Sequence, residues 1–128
     1  MHSFRAAAMA ALIALAVAGC AALPDAPPRL GATPLGCMRT TVATKVPGEY
    51  GDPHKHCLAA GMIARYCSPA EAKLASWGKE MDDALGRGDA DRRDLDADYA
   101  GIRCAREARD DAALQRCCAA SFPEPQAP

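Results

Sequence analysis

The stretch Asp52-Pro53-His54-Lys55-His56-Cys57-Leu58-Ala59-Ala60-Gly61-Met62-Ile63-Ala64-Arg65-Tyr66-Cys67 decides the fold of this chain. It reads as a helix over about 53–67. Asp52 is a good N-cap, and Pro53 falls where a missing N–H costs nothing. At 3.6 residues per turn, Leu58, Met62 and Tyr66 share one side. Ile63, Cys67, Ala60, Ala64 and Cys57 cover most of the remainder, which leaves Arg65 on a narrow wet strip. A helix with so little polar surface must be surrounded by its neighbours. His56 lies on the side of Ala60 and Ile63, so its imidazole is expected to point inward.

The neighbours follow downstream. Ser68-Pro69-Ala70-Glu71 has the form of a capping box and opens a helix that ends at Gly86-Arg87-Gly88. Its apolar stripe is Leu74, Trp77, Gly78, Met81 and Leu85. A third helix starts near Asp91 or Asp94 and runs to about Ala108. It has a bulky face, Leu95, Tyr99 and Ile102, and a small face of Ala97, Ala100, Gly101, Cys104 and Ala108. Asp110 or Asp111 begins a fourth helix, to about Ala120. Short links make successive helices antiparallel neighbours. Phe122 to Pro128 reads as a frayed, proline-rich tail.

Upstream, Ala6 to Ala18 is an unbroken apolar run behind a weakly basic start, too short to span a bilayer as a mature helix. It ends in Leu15-Ala16-Val17-Ala18-Gly19-Cys20. These residues resemble the bacterial lipobox, which implies cleavage after residue 19 and lipid on Cys20. Several acyl chains make such anchoring effectively permanent. Ala21 follows, where Asp would signal inner-membrane retention, so the outer membrane is the expected address. Pro24, Pro27, Pro28 and Pro34, with Gly31 and Gly36, read as an extended tether. Thr40-Thr41-Val42-Ala43-Thr44 reads as a short strand or as part of a segment draped over the helices and pinned through Cys37.

The expected organisation is a signal peptide (1–19), a lipidated Cys with tether and draped segment (20–51), a helical domain (52–120) and a flexible tail (121–128). The fold class is all-α: a small disulfide-stapled bundle of three to four helices with an extended N-terminal tether. A core of that size is marginal unaided. Six cysteines after Cys20 (Cys37, Cys57, Cys67, Cys104, Cys117, Cys118) supply up to three bridges in an exported chain. They lack the paired Cys-x-x-Cys pattern of a metal site. Cys57 and Cys67 lie about 15 Å apart along one helix and cannot pair. Across the last helical hairpin, Cys104 lies at nearly the same height as Cys117 and Cys118. Its partner is therefore one of these two, with Cys117 slightly favoured.

Removing residues 1–19, whose only Asp, Glu, Lys or Arg is Arg5, takes the net charge from −1 to −2. Such a balance gives no strong field for nucleic acid or an anionic membrane. Residues 82–98 hold seven acids and three bases without EF-hand spacing. No P-loop, Gly-x-Ser-x-Gly, dinucleotide fingerprint or His-Glu-x-x-His occurs. The residues that can carry chemistry are His56, Glu80, Asp83, Asp94 and Asp98. An inward imidazole with carboxylates suits a divalent metal or acid–base hydrolysis. The same residues serve equally as a satisfied core histidine, caps and helix-dipole partners.

The order Asp52-x-x-x-His56, Gly78-Lys79-Glu80-x-x-Asp83 and Asp94-Leu95-x-x-Asp98-x-x-Gly101 is similar to small bacterial lipoproteins of the YfiM type, themselves distantly like VanZ-type helical proteins. The similarity spans about 52–105. Asn is common where Asp98 stands, and Lys where Pro53 stands. The resemblance implies a helical lipoprotein with a polar core and assigns no reaction.

Two functions compete. One is an envelope lipoprotein acting as a structural or interaction module, with no cofactor beyond its lipid. Its partners are the membrane, through that lipid, and an envelope protein. The other is a small envelope hydrolase or metal-binding protein built on the His/Glu/Asp cluster. Scattered or fully paired side chains would leave the second without a basis.

Overall fold

The computed structural model describes residue 23, residues 25–87 and residues 91–124, with the side chains of Asp83 and Arg87 excepted. The expected signal peptide, Cys20 and the last four residues lie outside them. Five α-helices are present, and no strand occurs among the described residues: α1 (Pro34–Lys45), α2 (Asp52–Tyr66), α3 (Pro69–Asp82), α4 (Arg92–Glu107) and α5 (Asp111–Ser121). A wide π-type turn, Asp83–Arg87, follows α3, with Gly86 at φ 91°.

As its composition requires, α2 is the axis. It packs against all four other helices. Leu58 and Met62 are fully buried, with Leu114 of α5 beside them. The small face of α4 lies along α2, where Ala97, Ala100, Gly101 and Cys104 are buried. Three disulfides staple the bundle. Cys37–Cys67 ties α1 to the end of α2, and Cys57–Cys118 ties α2 to α5. Cys104–Cys117 closes the α4–α5 hairpin, the pairing that the matched heights favour.

Four expectations are corrected. The first concerns residues 34–45, neither strand nor draped segment but helix. Thr33 Oγ1 accepts from the Gly36 N–H at 3.1 Å, and Pro34 fills the first turn. The β-branched Thr40, Thr41, Val42 and Thr44 follow in the helix because Cys37 and Thr41 are buried on it and Cys37 is bonded to Cys67. Tertiary contact overrides a weak propensity here.

The second is Arg65, which is buried. Its Nε donates to Asp111 Oδ1 at 3.1 Å and a terminal N–H to the Ala108 carbonyl at 2.9 Å. Tyr66 Oη donates to the other Asp111 oxygen at 2.7 Å. The guanidinium is satisfied inside the bundle by a carboxylate that the α2 sequence does not contain.

The third is the stripe on α3. Leu74, Trp77, Met81 and, in the turn beyond, Leu85 are 66, 57, 62 and 72 % exposed, while Ala72, Ser76 and Glu71 face the bundle. The fourth is the tether. Leu23 and Leu30 pack on the core, and Arg29 forms a two-pronged bridge to Glu71 at the start of α3. Gly31, at φ 101°, then turns the chain into α1. Leu23 and residues 25–33 strap the domain rather than space it. At the other end Phe122 packs on the core and Glu124 accepts from the Gly51 N–H at 2.9 Å, so the tail is held as far as residue 124.

Candidate functional site

His56 projects from the first half of α2 toward α4. Its Nδ1 lies 3.0 Å from Asp98 Oδ1, and its Nε2 lies 3.4 Å from Asp94 Oδ2. Asp94 and Asp98 are four residues apart, one turn of α4, so the two carboxylates flank one ring. Asp98 is buried and His56 half-buried. Asp91, just before this turn, is the N-cap of α4 and accepts from the Arg93 N–H at 2.9 Å.

The hydrogen bond to Asp98 holds the His56 pKa above that of a free imidazole. Burial opposes the rise. The charges of Asp98 and Asp94 add to it, and nearby Lys79 works against it. The charged form of the ring is thus favoured, with Nδ1 hydrogen-bonded to Asp98 and Nε2 within ion-pair distance of Asp94. The free edge of the ring opens on a groove of about 280 Å³ bordered by Val42, Val46, Pro47, Ala59 and Lys79.

Glu80 has one carboxylate oxygen buried without a hydrogen-bond partner, and it does not join His56 in a three-donor set. The Asp83 side chain lies outside the described residues. A base needs a ring nitrogen with an open lone pair. Here both nitrogens already face carboxylates. For a metal, Asp98 would take the place of an orienting carboxylate behind His56, leaving Nε2 and Asp94 as two ligands. No third donor completes that set among the described residues. Three sulfurs, of Cys57, Cys104 and Cys118, do lie within 4.8 Å of one another. All three are in disulfides and offer no thiolate.

A second histidine escaped the reading of the sequence. His54 is buried, stacked on Tyr50 at 4.2 Å between ring centroids, with Nδ1 3.3 Å from Glu124 Oε1. The signal was present, since residues 54, 58, 62 and 66 fall on one side of α2. Nothing in the local sequence pointed to Glu124 as a neighbour.

No family model, no curated protein and no solved structure matches the chain. Among the described residues no helix is long and apolar enough to cross a membrane.

Proposed function

We propose that this chain is a bacterial envelope lipoprotein, anchored through Cys20, whose helical domain is a structural or interaction module. One observation carries the reading. The six cysteines among the described residues pair with one another, so the odd seventh, Cys20, has no cysteine of this chain left to bond. That odd cysteine stands where the apolar run of residues 6–18 has just ended, in the Leu-Ala-Val-Ala-Gly-Cys pattern that resembles a lipobox. Three disulfides suit an oxidising compartment outside the cytoplasm. Ala21, where Asp would signal inner-membrane retention, favours the outer membrane.

The His56 arrangement supports a module over a hydrolase or metal-binding protein. The His56 ring between Asp94 and Asp98 is a lock between α2 and α4, with a carboxylate facing each of its nitrogens. The deciding experiment is metabolic labelling with a fatty acid. Wild type is expected to take up label, and Cys20→Ser to take up none. Equal labelling of both removes the anchor from the proposal.

A further inference from the structure

α3 turns its large residues outward. Leu74, Trp77, Met81 and Leu85 recur every three to four residues and form one exposed strip running into the turn after the helix. A soluble helix normally buries such a strip, so this one is built to meet something.

The flank of the strip is basic. Between α3 and α4 runs a groove of about 450 Å³ lined by Lys73, Asp96, Tyr99, Ile102, Arg103 and Arg106, three cations to one acid. The chain's slightly negative total hides this local set. Trp77 Nε1 donates to Tyr99 Oη at 2.9 Å, so an aromatic pair stands on the border between strip and groove. Apolar side chains, then amphipathic rings, then cations is the succession met on leaving a lipid leaflet for its headgroups.

The N-terminal strap adds a third observation, one that rests on the anchor proposed above. Leu23 packs on the core, and Arg29 is bridged to Glu71 in the first turn of α3. Only Ala21 and Ala22 separate Cys20 from Leu23, about 10 Å of extended chain at most. A lipid on Cys20 therefore holds the domain against the membrane and leaves it no slack to stand off.

We propose that the outer face of α3 lies in the surface of a bilayer containing anionic lipid, with Leu74, Trp77, Met81 and Leu85 among the upper acyl chains and Lys73, Arg103 and Arg106 at the phosphates. Strip and anchor then form two contacts of one domain with one membrane.

The single tryptophan of the chain is Trp77, so its emission reports this face alone. The probe is the full-length chain carrying Cys20→Ser, mixed with vesicles of phosphatidylethanolamine and phosphatidylglycerol, and with vesicles of phosphatidylcholine. A blue shift of Trp77 and its quenching by brominated acyl chains are expected on the anionic vesicles. Three cations offset by Asp96 make that partitioning tighter than on neutral lipid by on the order of thirtyfold. Leu74→Ser with Met81→Ser, both at exposed positions, is expected to abolish the shift while far-UV circular dichroism stays unchanged. Arg103→Glu with Arg106→Glu is expected to erase the preference for anionic lipid. Residues 1–19 are common to every variant, so their own affinity for lipid cancels in the comparison. Unchanged Trp77 emission on all vesicles overturns the proposal, and so does equal quenching in the Leu74/Met81 variant. Light scattering that shows a dimer broken by the same two substitutions gives the face to a second copy and overturns it too. A Trp77 shift without fatty-acid labelling of wild type supports this surface while removing the anchor, so the two failures are separable.

Discussion

Gly61 of α2 and Gly101 of α4 face each other where the two helices meet, and neither has room for a methyl group. A Cβ on Gly101 would fall on the Cys57 carbonyl oxygen and within 2.9 Å of the Gly61 nitrogen. A Cβ on Gly61 would come within 2.9 Å of the Gly101 carbonyl oxygen and 2.7 Å of Leu114 Cδ1. Both obstacles at Gly101 are backbone, whereas one obstacle at Gly61 is a side-chain end that can move. In an open helix Gly→Ala gains roughly 1 kcal/mol. Here overpacking, typically about 1–3 kcal/mol and more against rigid backbone, outweighs that gain. Gly101→Ala is expected to lower stability in urea by more than Gly61→Ala. Equal or raised stability of Gly101→Ala would show that the helices are further apart.

The His56 lock has a direction in pH. Its folded pKa is raised by Asp98, so its contribution is complete below the unfolded value of about 6.5 and is lost as pH rises through the folded value. The melting temperature of wild type is expected to fall across this interval above pH 6.5, and that of His56→Gln to fall less. Asp98→Ala is expected to cost about 1–2 kcal/mol, the lower part of the range for a charged hydrogen bond because the imidazole is only half-buried. Parallel pH profiles for wild type and His56→Gln would refute the lock.

Glu71 shows the opposite sign. The Arg29 bridge holds its carboxyl below the usual range, with burial opposing and the Ser68 hydroxyl, which donates at 2.7 Å, helping. Its contribution is present above the unfolded carboxylate pKa and is lost as pH falls through the depressed value. Glu71→Gln is expected to free the strap and speed tryptic cleavage after Arg29 severalfold at neutral pH, while cleavage of wild type rises only in acid-destabilised protein. An unchanged rate in the variant would mean that Leu23 and Leu30 hold the strap without the bridge.

The disulfides make a demand on mass mapping. Trypsin cuts after Arg116 and leaves Cys117 and Cys118 on one peptide. Without reduction, that peptide is expected to carry both the Cys57 and the Cys104 peptides, as one three-chain species. The Cys37 and Cys67 peptides are expected as a separate pair. Opening Cys57–Cys118, which closes 61 residues, is expected to cost about 1.4 kcal/mol more than opening Cys104–Cys117, which closes 13. Paired Cys→Ala variants in urea measure the difference.

What the sequence determined by itself is local or is set by helix periodicity. Pro53 suits the first turn of α2, where an N–H has no helical partner, although Gly51 rather than the expected Asp52 is the N-cap and no side chain caps it. Ser68 starts α3 because its hydroxyl accepts from the Glu71 N–H of its own turn. Asp110 does likewise, accepting from the Ala113 N–H at 2.7 Å. The near-absence of a polar face on α2 left it no place but the centre, and equal distances from one turn brought Cys104 to Cys117. Asp98 was legible as inward, and its pairing with His56 as one outcome among several. The same cap chemistry stood at Thr33-Pro34 and was masked by the β-branched residues after it.

Tertiary structure alone decided which face each helix shows. On α3 a hydrophobic strip is a preference to be buried, but the bundle takes in Glu71, Ala72 and Ser76 there, with Leu74, Trp77 and Met81 left outside. On α2 a charge is a preference for water, but Arg65 meets an Asp111 that is 46 residues away in the chain and goes in. Burial is a property of the pair that meets, and the second member of each pair lies too far along the chain for any local pattern to name it.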